Sequence, residues 1–259
     1  MSHPDVSIII ATYNRLDYLQ QAIGSCLSQA DSDLEREVIV VDDGSTDGTQ
    51  DYLGALNDPR VRPIYQGDRG PQHARNRGLN TATGTFVKFL DDDDWLLPGT
   101  LELEVNRLRK TGADLSYGGL EIVDDDGEPR RTVEAPACKD LAAGIFDGTL
   151  LTLPHRFLCR RTLAEQVEWN TDLPCRQDLG FFLSVALEEP EHTRIESVVG
   201  CHRLHDGERV CKVGNEEVVH QTHIQILLDA VEELQKKQTL CAKRAQAAAL
   251  GLWKRAHML

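Results

Sequence analysis

The sequence predicts an α/β fold: a mostly parallel sheet with helices on both faces, followed by a C-terminal helical extension. Three observations carry this. Short apolar runs rich in β-branched residues alternate with segments of helical spacing, which is the pattern of βαβ units. Two of those runs end in acidic clusters. The stretch from Asn215 to Leu259 keeps a helical pattern to its end.

Val6-Ser-Ile-Ile-Ile10 reads as a strand buried on both faces. Leu16, Leu19, Ile23 and Leu27 then share one helical face. Val38 to Val41 forms a second strand running into Asp42-Asp-Gly-Ser45, with a helix from about Asp47 and a strand near Val61 to Tyr65. A helix over Pro71 to Thr81 precedes a fourth strand, Phe86 to Leu90, which ends in Asp91, Asp92, Asp93 and Asp94. Such alternation implies right-handed crossovers, and ligands of these sheets gather beyond the carboxyl ends of the strands. Both acidic clusters fall there. Further on, a helix over 99–110 leads to a strand at Leu115 to Val123 and a hairpin turn at Asp124 to Gly127. Residues 140–190 are mixed, with a helix from about Arg176, and Arg194 to Arg203 is the last strand.

The chain has 259 residues, 41% of them hydrophobic, enough for a sizeable core. No apolar run reaches the length of a membrane-spanning helix, and Met1 to Asp5 lacks a basic leader, so a cytoplasmic location is expected. Cys26, Cys138, Cys159, Cys175, Cys201, Cys211 and Cys241 contain no Cys-x-x-Cys pair, which favours reduced thiols over a disulfide framework or a zinc knuckle. A net charge of −14 argues against nucleic acid as a partner.

The charge is unevenly spread. Residues 235–259 hold Lys236, Lys237, Lys243, Arg244, Lys254 and Arg255 and no acid. On one continuous helix over 236–257 these six fall within an arc of roughly 120°, opposite a side rich in alanine. Such a helix suits an anionic surface on the inner face of a membrane. The alternative is that its alanine side docks on the rest of the protein and leaves the lysines in water. Docking is favoured, because alanine offers lipid little apolar area.

Four consecutive aspartates at a strand end repel one another unless protons or a counter-charge intervene. A divalent cation, Mn²⁺ or Mg²⁺, is the simplest remedy, since both take carboxylate and phosphate oxygens together. The plainer alternative is a solvated acidic loop with Asp94 capping the next helix. Asp43 to Gly48 also has the early spacing of a calcium loop, but Gly54 stands where the bidentate glutamate belongs.

Four segments occur in order: Val6-Ser-Ile-Ile-Ile-Ala-Thr-Tyr-Asn14, Val41-Asp-Asp-Gly-Ser-Thr-Asp47, Ala74-Arg-Asn-Arg-Gly78 and Gly84-Thr-Phe-Val-Lys-Phe-Leu-Asp-Asp-Asp-Asp-Trp95. Together they resemble the nucleotide-sugar half of family 2 glycosyltransferases, with their Rossmann-like GT-A fold. The resemblance covers residues 5–100 and fades past 110. It implies an inverting transferase that moves sugar from a nucleotide diphosphate donor, usually a UDP-sugar, to a hydroxyl on a glycan or a lipid-linked acceptor. It also implies a division into 1–110 for the donor, 111–214 for the acceptor and a helical extension over 215–259.

By the same resemblance, Ala11, Thr12 and Tyr13 lie near the donor's base, Asp43 accepts a hydrogen bond from that base, and Arg75 holds the nucleotide pocket. Asp91 to Asp93 matches the family's Asp-x-Asp element, with Asp93 on the metal and Asp91 or Asp92 on the ribose. Cys175-Arg-Gln-Asp178 is the counterpart of the motif that supplies the general base, Asp178, although Gln177 replaces the usual acid. His205, in Arg203-Leu-His205, resembles an element that approaches the metal or the diphosphate. His155 reads as a structural histidine, and Trp95 as either a wall for the sugar or part of the core. A nucleotidyltransferase, or a nucleotide-sugar-binding scaffold without catalysis, are the competing functions. The oligomeric state has no signature in the sequence.

Overall fold

A computed structural model describes residues 3–29, 34–204 and 216–256. The chain divides into two units. The first comprises 1–135, 153–168 and 191–205; the second comprises 136–152, 169–190 and 206–259.

The first unit holds a sheet of nine strands among its described residues. β1 (Val6–Thr12), β2 (Arg36–Asp42), β3 (Val61–Tyr65) and β4 (Phe86–Asp91) run parallel in the order β3-β2-β1-β4. The sheet continues from β4 through β8 (Phe157–Arg160), β6 (Leu115–Val123), β9 (His192–Arg203) and the two-residue β5 (Trp95–Leu96). β7 (Pro129–Val133) forms the expected hairpin with β6. β6 and β9 are parallel, whereas β8 is antiparallel to both β4 and β6. The sheet is therefore mostly parallel on the donor-motif side and mixed beyond it.

The strand period of two sorts the helices onto the two faces. Val6, Ile8 and Ile10 pack with Leu19, Ile23 and Cys26 of α1 (Leu16–Leu27), Leu53 of α2 (Thr49–Ala55), and Leu101, Val105 and Leu108 of α4 (Thr100–Thr111). Ile9 faces the other way, onto α3 (Pro71–Thr81), where a Cβ on Gly78 would come within 2.4 Å of its Cγ2. Only glycine allows so close a crossing of helix over strand. A short α6 (Arg161–Ala164) follows β8.

One ion pair lies inside this core. Lys88 of β4 and Glu104 of α4 are both fully buried, with Nζ 2.9 Å from each carboxylate oxygen and 3.3 Å from the Phe157 carbonyl. Burial pushes the Glu104 carboxyl up, and the lysine charge opposes that shift. Three acceptors around one ammonium satisfy all three of its protons. The pair thereby fixes α4 against the strand that carries the acidic run.

In the second unit, α5 (Leu141–Phe146) and α7 (Gln177–Leu187) join α8 (Glu216–Lys236) and α9 (Ala242–Ala256). Trp169 stacks on Phe181 at 4.3 Å between ring centroids and meets the edge of Phe182. A Cβ on Gly251 would lie 2.1 Å from the Phe146 carbonyl oxygen, so α9 approaches α5 through that glycine.

The continuous tail helix expected from the sequence is broken. Gln238 adopts φ +58°, and Thr239 N–H donates to the Leu234 carbonyl, a Schellman closure that stops α8 before α9 begins. Lys236 consequently ends α8 and Lys237 lies in the turn after it, apart from the other four basic residues on α9. The polarity also differs from the docking expected. Arg244 pairs with Asp140 and Glu189, Lys237 with Glu188, and Lys254 donates to the Asp147 carbonyl. Ala247, Ala248 and Gly251 are buried, while Leu250 and Trp253 remain 42% and 58% exposed. Arg244 and Lys237 thus face acids of their own unit.

The six described cysteines are free thiols, as expected; Cys211 lies outside the described residues. Burial pushes Cys26 and Cys159 up to about 12, which makes them inert.

Removing one partner of the Lys88–Glu104 pair leaves a buried charge uncompensated. Lys88→Met or Glu104→Leu alone should lower unfolding stability by about 3–5 kcal/mol in urea titrations. The double variant should recover most of that loss; a double variant as unstable as the summed singles would show that the two charges do not act as a pair.

Candidate active site

The parallel register brings the carboxyl ends of three strands side by side. Thr12 stands opposite Asp42, and Ala11 opposite both Val41 and Asp91. The loops leaving β1 and β2 brace each other: Asn14 Oδ1 accepts from Thr46 N–H, and Ser45 Oγ accepts from Asn14 N–H. Asp42 is fully buried and accepts from Ser45 N–H and the Gln50 amide, so it shapes the turn. Gly44 has φ +90°, and a Cβ there would meet the Asp68 amide at 3.2 Å. The second acid, Asp43, reaches into the next loop. Its Oδ1 accepts from Gln66 Nε2 and Arg69 N–H, and its Oδ2 from Gly70 N–H at 2.7 Å. Asp43 thus organises the segment that opens α3, the helix carrying Arg75.

The acidic run closes a tight turn, with Asp94 N–H donating to the Asp91 carbonyl. Its four side chains then diverge, with Asp92 and Asp93 sharing Arg15. Asp91 Oδ1 lies 2.6 Å from Arg75 Nη2. Asp92 turns inward, where Oδ2 accepts from Thr12 Oγ1 at 2.8 Å and Oδ1 lies 3.3 Å from Arg15 Nη1. Asp93 Oδ2 lies 2.5 Å from the same Arg15 nitrogen. Burial and the neighbouring Asp93 charge push the Asp92 carboxyl up to about 7, against the pull of Arg15 and Thr12.

Asp94 faces the other way. Pairing of β5 with β9 sets Trp95 opposite Cys201, which delivers His202 and Arg203 to it. Its Oδ1 accepts from Arg203 N–H at 2.9 Å, and its Oδ2 lies 3.1 Å from His202 Nδ1 and 3.0 Å from His155 Nδ1. The His155 contact is ionic in distance but off the line of a hydrogen bond. Burial alone would raise the Asp94 carboxyl, but the charges of His155 and His202 hold it well below the usual carboxylate range. Burial disfavours the charge on His202, and Asp94 more than offsets this, raising that imidazole. Arg203 completes the floor, its guanidinium 4.8 Å from the Trp95 ring centroid and 5.1 Å from that of Tyr18. Trp95 is therefore a platform for an arginine.

Oxygen atoms of Asp91, Asp93 and Asp94 lie within 4.8 Å of one another. An all-carboxylate donor set of this spacing fits a hard divalent cation such as Mg²⁺ or Mn²⁺. Asp91 and Asp93 are partly exposed and Asp94 is buried, so the first two are the accessible donors.

The structure therefore gathers Ala11, Thr12, Asp43, Arg75, Asp91, Asp92 and Asp93 along one edge of one sheet. Tyr13 projects beyond β1 and is 46% exposed. Asp178 belongs to the second unit, in the first turn of α7, where the helix dipole favours a carboxylate. His205 lies outside the described residues. Arg15 and His202 were not singled out from the sequence. Arg15 was findable, because it directly follows the first motif on a strand parallel to β4. His202 was not: only the β5–β9 register brings it to Asp94.

The Glycosyl transferase family 2 profile matches residues 7–168. The succinoglycan biosynthesis protein ExoO of Rhizobium meliloti (strain 1021) is 40% identical over 129 residues, 49% of this chain and 36% of that protein. The uncharacterized glycosyltransferase EpsJ of Bacillus subtilis (strain 168) is 31% identical over 206 residues, 74% of this chain and 58% of that protein. The chain thus spans less than two thirds of either relative. TarS (residues 1–349) of S. aureus, solved in complex with UDP-GlcNAc, aligns with TM-score 0.75 and 20% identity over 98% of this chain and 73% of that one, which establishes a shared fold. With the profile running from β1 past β8 and the acidic run in place at the end of β4, this chain belongs to glycosyl transferase family 2.

Proposed function

We propose that the chain transfers a sugar from a UDP-sugar to a hydroxyl acceptor, with inversion, in the synthesis of a glycan or polysaccharide. The observation that carries this is the carboxylate cluster at the end of β4, beside the ends of β1 and β2, in a chain of this family. ExoO's role in succinoglycan biosynthesis and the UDP-GlcNAc complex of TarS support the donor and pathway class. Residues 1–110 serve the donor and 111–214 the acceptor, with 215–259 as a helical extension.

Asp43 supplies the acceptor atom for the base, and the loop it organises forms the wall beside Arg75. Asp91 is the better placed of the two ribose candidates, with 22% of its side chain exposed against 9% for Asp92. Asp93, with Asp91 beside it, would hold Mn²⁺ or Mg²⁺, which when bound stabilises charge on the leaving diphosphate. Asp178, in the first turn of α7, acts as the general base that removes the proton of the attacking hydroxyl. The acceptor is a glycan or lipid-linked hydroxyl. Exposed Trp253 and Leu250 beside Lys243 support peripheral contact of α9 with an anionic membrane at the cytoplasmic face.

Free UDP as product distinguishes sugar transfer from nucleotidyl transfer, which releases pyrophosphate, and from a scaffold, which releases neither. Asp93→Ala should bind UDP with Mn²⁺ far more weakly than the parent while keeping its fold. Calorimetry measures this, and equal affinity in the variant would remove the metal from Asp93. Asp178→Asn should slow turnover by about 10²–10⁴-fold with donor affinity unchanged, and turnover within about threefold of the parent would exclude Asp178 as base. For α9, Trp253→Ala should reduce co-sedimentation with phosphatidylglycerol vesicles, an interaction that salt weakens. If neither protein sediments, the helix has no membrane role.

A further inference from the structure

Arg15 stands where a metal ion's charge would act. It leaves the end of β1 at the start of α1, and β1 runs parallel to β4, so the residue arrives beside the acidic turn without any long connection. One guanidinium nitrogen, Nη1, reaches two consecutive carboxylates, 2.5 Å from Asp93 Oδ2 and 3.3 Å from Asp92 Oδ1. Its side chain is 22% exposed, so it is held at the rim of the cluster. Arg75, from α3, makes the matching contact with Asp91, but its side chain is only 11% exposed. Of the two, Arg15 is the one in contact with Asp93 and the more exposed.

A positive charge at contact distance from Asp93 opposes a divalent cation in two ways. It occupies a carboxylate oxygen that the cation needs, and it repels the cation directly. The acidic turn therefore carries part of its own counter-charge. A nucleoside diphosphate changes the balance. Its phosphate oxygens offer the guanidinium an equivalent anionic partner, and arginine's planar fork suits them. They also supply further oxygen donors to a cation on Asp93.

We propose that Arg15 is an internal counter-ion that competes with the divalent cation for Asp93 and passes to the donor's diphosphate when both bind, so that cation and donor enter cooperatively. This rests on the reading of Asp93 as the metal-holding residue. It assigns Arg15 a positioning role that the motif alone does not.

The test is Mn²⁺ binding followed by electron paramagnetic resonance on the full chain, with and without saturating UDP, for the parent, Arg15→Gln and Arg15→Lys. The parent should bind Mn²⁺ weakly alone and at least about tenfold more tightly with UDP, a coupling of ordinary size. Arg15→Gln should bind Mn²⁺ alone about tenfold more tightly than the parent and lose most of the coupling, while Arg15→Lys, which keeps the charge, should stay near the parent. In an Asp93→Ala background the Arg15→Gln effect should vanish, because the two substitutions act on one contact. Arg15→Gln with unchanged Mn²⁺ affinity and unchanged coupling would overturn the proposal while leaving Asp93 as metal residue. Absence of Mn²⁺ binding to the parent even with UDP would overturn both, and is told apart by affecting every variant equally.

Discussion

Four adjacent carboxylates at the end of a buried strand set the terms for the whole first unit. Their mutual repulsion at close range has to be offset, and three groups of partners answer the acids: Asp91 is met by α3, Asp92 by the end of β1 and by Arg15, Asp93 by the same Arg15, and Asp94 by β9 and the turn before β8. The turn between Asp91 and Asp94 makes this division possible by pointing consecutive side chains in different directions. Asp94 and Asp93, though adjacent, therefore do different jobs. One is a buried structural anion that ties the distal strands to the site; the other is at the rim, accessible to a ligand.

Placement of the acidic turn depends in turn on β4 being held rigidly. On one side β1 fixes its register residue by residue, and on the other β8 continues the sheet. Lys88 anchors α4 to the same strand from inside the core. A buried ion pair is a weak source of net stability but a strict geometric constraint, since either charge alone is costly. That constraint keeps the acidic turn at the end of β4 in one place.

The donor-side elements were legible in the sequence because they are local. Val6–Ile10, Val38–Val41 and Phe86–Leu90 are continuous β-branched or aromatic runs, and each precedes a turn whose residues advertise it. Gly44 and Gly78 stand where backbone freedom or close approach demands glycine. Ordered motifs singled out Thr12, Asp43, Arg75 and Asp91 to Asp93, and the parallel register brings those segments to one edge. The tail was misread for an equally local reason. Helical periodicity continues through Lys236 and Lys237, and nothing in the pattern marks Gln238 as a residue with positive φ. The docking face was likewise inferred from apolar area, whereas Asp140, Glu188 and Glu189, distant in sequence, pair with Arg244 and Lys237.

Sequence alone determined the α/β class, the strands of the first hundred residues and the acidic cluster at a strand end, because each is written in residues close together along the chain. Tertiary structure alone decided which acid faces which partner. His155 and His202 lie more than sixty residues downstream of Asp94, and they reach it only through the mixed pairing of β5 and β9 and the entry to β8. Arg15 lies as far upstream of Asp93 in the chain, and the parallel register of β1 and β4 closes that distance. Charges act through space, so their partners are fixed by strand register, which periodicity and composition leave open.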